Sequence, residues 1–165
     1  MAKRSRSHYL KIGVLGEDLV TQWLRSTGWA ILERRWHCRW GEIDIVARSD
    51  AALLAHSPTP CLAFVEVKTR SPRNWDAGGL LSITAPKQAK LWQTARCFLA
   101  THPSMAEYQC RFDVALVCYR RLSLNERCQY ATASATVEMP IDIGQAVFLT
   151  EYQLILQNYI PSAFC

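Results

Sequence analysis

Two stretches decide how this chain is read: GEIDIVA at residues 41–47 and CLAFVEVKTR at residues 61–70. The first alternates strictly between apolar and polar side chains, the pattern of a half-buried β-strand. The second is an apolar run that ends in charge, the pattern of a buried one. On a strand, residues i and i+2 share a face. Glu66 and Lys68 therefore lie side by side, with Leu62 and Phe64 further back on the same face and Val65 and Val67 opposite. Asp44 is expected on one face of its own strand, with Ile43 and Ile45 on the other. A carboxylate and an ammonium at the end of such a run cost energy unless they serve each other or a metal. If the two strands pair, Asp44 and Glu66 come within one ion's reach. Two carboxylates suit a hard divalent cation, Mg2+ (or Mn2+), with water and substrate phosphate as its remaining ligands. A lysine two residues from a metal carboxylate can orient an attacking water, help deprotonate it and offset charge on a reacting phosphate. The chemistry so described is phosphodiester hydrolysis. Read alone, the same Glu-x-Lys triplet also describes a surface ion pair at a strand end, with Asp44 unrelated.

Upstream of these strands, Leu15, Leu19, Val20, Trp23 and Leu24 recur at helical spacing over about residues 10–27, and Gly28 supplies a stop. A short strand follows at Trp29–Glu33. Residues 48–60, with Pro58 and Pro60, read as a loop. Residues 71–85 are irregular. Pro86 suits the first position of a second helix, capped by Thr84 or Ala85. That helix is expected to bury Ala89, Trp92, Ala95 or the stem of Arg96, and Leu99. RFDVALVCY (111–119) is the next strand. Beyond Arg120 the pattern suggests a strand near Tyr130–Glu138 and a short helix near Thr150–Asn158. The fold class is thus α/β (or α+β): a mixed central sheet flanked by helices, with elements in the order αβββαβ.

With 165 residues the chain is of single-domain length. It is read as one domain over 1–165, with a core at about 10–120 and a C-terminal extension at 121–165. Composition excludes global disorder and low complexity: half the residues are hydrophobic, and Gly and Pro number 7 each. Seven cysteines, with Cys110 and Cys118 the nearest pair, support neither a CxxC metal motif nor an oxidised scaffold. Reduced thiols in a cytoplasmic protein are expected, with no signal peptide and no membrane span. Net charge is +5 and unevenly spread. Residues 1–100 carry 15 Lys/Arg against 8 Asp/Glu, and residues 101–165 carry 4 against 6. The first part should attract a polyanion, phosphate backbones above all, though a solvated basic surface has the same composition.

Five ordered blocks carry a resemblance: GVLGED in the first helix, GEIDIVA, FVEVKTR, Lys87 opening a helix, and RFDVALV. Together, over about residues 12–118, they resemble the YraN family. That is an uncharacterised bacterial family similar to the restriction-endonuclease-like PD-(D/E)XK nucleases and, within these, to Holliday-junction resolvases. The resemblance implies a restriction-endonuclease-like core with a four-stranded mixed sheet. It makes Asp44 the metal aspartate, Glu66 and Lys68 the signature glutamate and lysine, and Glu17 an additional acid from the first helix. At about 100° per residue Glu17 sits on the border of the apolar stripe, whereas Asp18 points away. Gly13 and Gly16 can admit a close strand or a phosphate. The 48–60 loop and the tail, with only NYIPSAF of the family's pattern, depart from it.

The catalytic set is therefore Glu17, Asp44, Glu66 and Lys68, with Asp44 and Glu66 as metal ligands. Lys11, Arg70, Arg73 and Lys87 are the nucleic-acid contacts. Trp36 and Trp40 bracket a basic stretch and can stack on bases, though six Trp in one domain are more often core and rim packing. Asp113 is expected to be structural, bonding Arg111 or backbone. The four histidines have no metal spacing. The expected function is Mg-dependent hydrolysis of DNA, on branched or single-stranded substrates. The alternatives are a non-catalytic nucleic-acid-binding protein or a protein-interaction subunit on the same fold. A homodimer is left open.

Overall fold

A computed structural model describes residues 2–49, 60–72, 83–131, 141–149 and 151–164. Helix α1 (Ala2–Ser26) is followed by strands β1 (Ala30–Cys38), β2 (Gly41–Ser49) and β3 (Cys61–Arg70). Helix α2 (Ala85–Thr101), strand β4 (Gln109–Arg121), helix α3 (Leu124–Ala131), and strands β5 (Ala146–Phe148) and β6 (Tyr152–Phe164) complete it. The αβββαβ order is the one expected. The six strands form one mixed sheet in the order β1-β2-β3-β4-β6-β5. Only β3 and β4 run parallel, joined by the α2 crossover.

Alternation along β3 divides the interior into two layers. Cys61, Ala63 and Val65 face α1, whose Ile12, Leu19, Val20 and Leu24 are all buried. Leu62 and Phe64 face α2, where Leu91, Ala95 and Phe98 close the second layer. Phe98 is fully buried, with Phe64 edge-on at 5.8 Å between ring centroids and Trp36 at 5.4 Å. Burying such a side chain contributes about 1.5–3 kcal/mol. Gly28, at φ 90°, ends the chain segment of α1 in the left-handed conformation that glycine tolerates.

Several expectations are corrected. The buried face of α2 is Leu91, Thr94, Ala95 and Phe98; Ala89 is exposed and Trp92 is 40% exposed. The face is thus rotated by about one residue, because Phe98 is the side chain that fills the gap over Phe64. Strand β1 runs on to Cys38, so the basic stretch is the second half of an edge strand, where charge is tolerated and discourages further pairing. The sheet has six strands, not four. The helix expected near 150–158 is strand β6: Tyr152, Leu154 and Leu156 are buried at a period of two and cover the α1 side of β4 and β5. The short apolar run Leu154–Leu156 fits either period, and the open edge of β4 decides it. Tyr130 lies in α3, not in a strand. The rest of that expected strand, and most of the 48–60 loop, fall outside the described residues. Among the described residues no helix is long and apolar enough to cross a membrane.

Candidate active site

Strands β2 and β3 pair antiparallel from Ser49↔Cys61 to Ile45↔Val65, and there the ladder ends. Continued, the register would set Asp44 against Glu66. Asp44 instead turns its side chain onto β3, where Oδ2 accepts the Val67 N–H at 2.7 Å. A carboxylate oxygen replaces a main-chain acceptor, so the strands part at this point without leaving the donor unmet. The backbone period breaks here too. Ile43 packs in the α2-side core and Ile45 in the α1-side core, so the expectation that both share one face is wrong. On the neighbouring strand, Arg35 lies between the pairs Arg34↔Ile45 and Trp36↔Ile43 and has φ 52°. That left-handed conformation costs a non-glycine residue on the order of 1–2 kcal/mol.

Glu66 is buried on the α2-facing side of β3, as its spacing required. Its Oε1 accepts Lys68 Nζ at 2.6 Å and also the Nζ of Lys87. Lys87 stands in the first turn of α2, behind Thr84 and Pro86, where the helix dipole opposes an ammonium and Glu66 offsets that cost. Glu17 is 6% exposed. Arg35 Nε approaches its Oε2 to 3.0 Å, yet among the described residues that oxygen receives no aligned hydrogen bond. The contact is one of charge rather than direction. Asp18 does point away, and pairs with Arg34 at 2.6 Å.

Glu17 reaches the site because Gly16 lets α1 lie on β3. A Cβ at Gly16 would strike the Thr69 hydroxyl and sit 3.1 Å from Thr69 Cβ, a tight contact that turning the hydroxyl away does not lengthen. Gly16→Ala is expected to cost about 1–3 kcal/mol in denaturant unfolding. A neutral result would mean that α1 is free to shift, and Glu17 with it.

Burial pushes the Asp44 carboxyl up to about 7, aided by the charges of Glu66 and Glu17 and opposed by the Val67 N–H and Lys68. Burial likewise raises Glu17, against the pull of Arg35. Burial lowers Lys68, against the pull of Glu66. Burial also works against the Lys87 ammonium, but its bond to Glu66 prevails and raises it. Buried oxygen-donor carboxylates whose ionisation is this costly fit a hard divalent cation. Among the described residues no three His, Cys, Asp or Glu side chains converge closely enough to hold an ion by themselves. Asp44 and Glu66 as a pair suit magnesium or manganese, which retain water and substrate oxygens.

The sign of the pH dependence follows. The folded protein keeps a proton on Asp44 that the unfolded chain has lost above about pH 4. In a chelator, stability from this group should fall as pH rises toward 7. If manganese binds at Asp44 it must displace that proton, and the gain in melting temperature with manganese should grow over the same interval. Asp44→Asn should flatten both trends; a manganese effect that is independent of pH would place the ion elsewhere.

The chain's relatives share the segment that builds this site. The model of the uncharacterised protein family UPF0102 matches residues 16–117, from Gly16 beside Glu17 into β4. The chain belongs to the UPF0102 family. This is the YraN family that the sequence blocks resemble. A UPF0102 protein of Trichodesmium erythraeum is 50% identical over 163 residues, covering 96% of this chain and 91% of the relative. One from Acaryochloris marina is 49% identical over 162 residues (96% and 92%), and one from Trichormus variabilis 49% over 156 (94% and 95%). These alignments cover more of the chain than the segment matched by the family model.

The remaining residues divide. Lys87 is part of the carboxylate cluster of this UPF0102 protein. Arg70 ends β3 and lines a cavity of about 270 Å³ with Tyr9, Thr69, Ser71 and Tyr119. Lys11 is exposed, 3.7 Å from Glu151 and away from the cluster. Arg73 lies outside the described residues. Trp36 packs on Phe98, while Trp40 is 41% exposed under the Arg39 guanidinium. Asp113 is structural, as expected: Arg111 and the Ser162 N–H both donate to it. Sequence reasoning missed Arg35 and Glu42, which lie 3.9 Å apart on the Glu17 side of the site. No periodicity announces an arginine with positive φ.

Proposed function

We propose that this protein is a magnesium- or manganese-dependent nuclease that hydrolyses DNA phosphodiester bonds. The observation that carries the reading is the point where β2 parts from β3, with Asp44, Glu66, Lys68 and Lys87 gathered there. Asp44 and Glu66 would hold the ion. Bound there, the ion supplies a Lewis acid for a phosphate oxygen and a more acidic water. Lys68, held against Glu66, orients the attacking water and carries charge that develops on the phosphoryl oxygens. Lys87 neutralises Glu66 in the resting site and turns to the substrate phosphate when Glu66 is engaged. Glu17 sets the field on the side of β1. Arg70 and the basic residues of 1–100 hold the strand.

The test is cleavage by purified protein of duplex, single-stranded, flap and four-way-junction DNA, with manganese or magnesium. Branched DNA is the expected substrate, by similarity to the resolvases. Binding without cleavage under any ion would instead favour a nucleic-acid-binding protein on this fold.

Binding itself should be steeply salt-sensitive and weakly sequence-specific. Neutralising several phosphates releases their counterions, and affinity should fall at least about tenfold between 50 and 200 mM salt in filter binding or anisotropy. A flat response would argue against contact with the phosphate backbone.

A further inference from the structure

Arg35 is built into the site at a position unsuited to it. Its φ of 52° is one that glycine or asparagine adopts readily, on a strand that is otherwise extended. What the arginine adds there is its side chain. The guanidinium is half-exposed and reaches Glu17 at 3.0 Å and Glu42 at 3.9 Å. Arg34, the neighbouring cation, is held by Asp18 at 2.6 Å. On the far side of the cluster Lys68 and Lys87 both bind Glu66. The resting site is thus a group of buried carboxylates closed on both sides by the chain's own cations. On the Arg35 side the closure is loose, since among the described residues Glu17 Oε2 receives no aligned hydrogen bond. Such a contact supplies charge and leaves a buried carboxylate oxygen without a directed donor.

We infer that Arg35 is a positioning residue whose charge, held beside Glu17, opposes entry of the divalent ion at Asp44 and Glu66. The inference rests on the proposed function, because the ion is the one assigned to Asp44 and Glu66. Arg35 holds Glu17 toward the cluster while the site is at rest and surrenders it when the ion enters. Its guanidinium, already at the surface, is then free for a substrate phosphate.

Calorimetric titration of the protein with manganese, without DNA, tests this. Arg35→Gly, which also relieves the backbone, is expected to tighten manganese binding about three- to tenfold. Arg35→Asn, equally at ease at this φ, should do the same should the glycine variant fold poorly. Arg35→Lys keeps the charge and should change little. Arg34→Gln removes a nearby charge that is paired elsewhere, and should also change little. Equal tightening in Arg34→Gln would reduce Arg35 to a contributor of general field, and unchanged or weaker binding in both Arg35→Gly and Arg35→Asn would make its role structural; either overturns the assignment. Wild-type binding that Asp44→Ala removes, with Arg35→Gly and Arg35→Asn unchanged, leaves the metal site standing and rejects Arg35 alone. Absence of binding in the wild type rejects both.

Discussion

Glu66→Ala is expected to abolish metal-dependent DNA cleavage, with a loss of about a hundredfold to a thousandfold or more. Glu66 is where the site's functions meet: Lys68 and Lys87 are bonded to its Oε1, and its charge is the second cause, after burial, that raises Asp44. Under the proposed function, removing it takes away one of the two residues assigned to the ion and the anchor of the lysine assigned to the water. It also leaves two ammoniums facing each other, so folding is to be verified by circular dichroism, and Glu66→Gln serves as the milder variant. Lys68→Ala should lose rate by a similar factor and still bind manganese, since an ammonium is not a ligand. Loss of ion binding in Lys68→Ala would mean that the lysine acts by positioning Glu66 rather than on the water. Cleavage that survives Glu66→Ala would point to another site or a contaminating enzyme.

The parts of this site that were legible in the sequence are those governed by strand periodicity. Glu66 and Lys68 share the face of Leu62 and Phe64, as a period of two dictates, and β3 spans 61–70 as read. Glu17 lies on the border of the α1 stripe, where a helical projection places it. Asp44 was legible as a residue but not as a conformation. Ile43 and Ile45 point to opposite layers because the strand breaks its period to bring Asp44 onto the Val67 N–H. Such a break depends on what the neighbouring strand offers, and no local pattern encodes it. The same holds for Arg35, whose backbone conformation follows from this break, and for Lys87, which reaches Glu66 only through the α2 crossover. The tail was misread because Leu154 and Leu156 fit both periods; what makes them a strand is the edge of β4, a partner far away in sequence.

That edge also carries the largest expected loss of stability. Asp113→Ala should destabilise the fold by about 3–5 kcal/mol, the range for breaking a buried charge pair. At a few degrees per kcal/mol for a chain of this size, melting should fall by on the order of 10 °C. The Asp113 side chain is fully buried. Its Oδ2 accepts Arg111 Nε at 3.1 Å and the Tyr159 hydroxyl at 2.6 Å, and its Oδ1 accepts the Ser162 N–H at 2.9 Å. These bonds span an irregular stretch of pairing, between Phe112↔Phe164 and Val114↔Ile160, where β6 carries Pro161 and Ser162 at φ 50°. Proline has no N–H to give there, so the carboxylate meets the donor that the interrupted ladder strands. Arg111 lies over the Trp29 ring at 4.9 Å and Tyr159 against Trp23 at 4.6 Å, which extends the tie to α1 and the start of β1. Burial and the Asp113 charge hold the Tyr159 phenol protonated, so it remains a donor. Asp113→Asn should cost less than alanine, because an amide oxygen can still meet Ser162. Tyr159→Phe should cost about 1–3 kcal/mol. A loss below 1 kcal/mol in Asp113→Ala would mean that the stacking of Phe112 on Phe164, at 4.9 Å, is enough to hold the strands. Asp113 faces the α1 side of β4 and Glu66 the α2 side of β3, so manganese binding by the folded fraction should be unchanged in this variant, separating its role from that of the site.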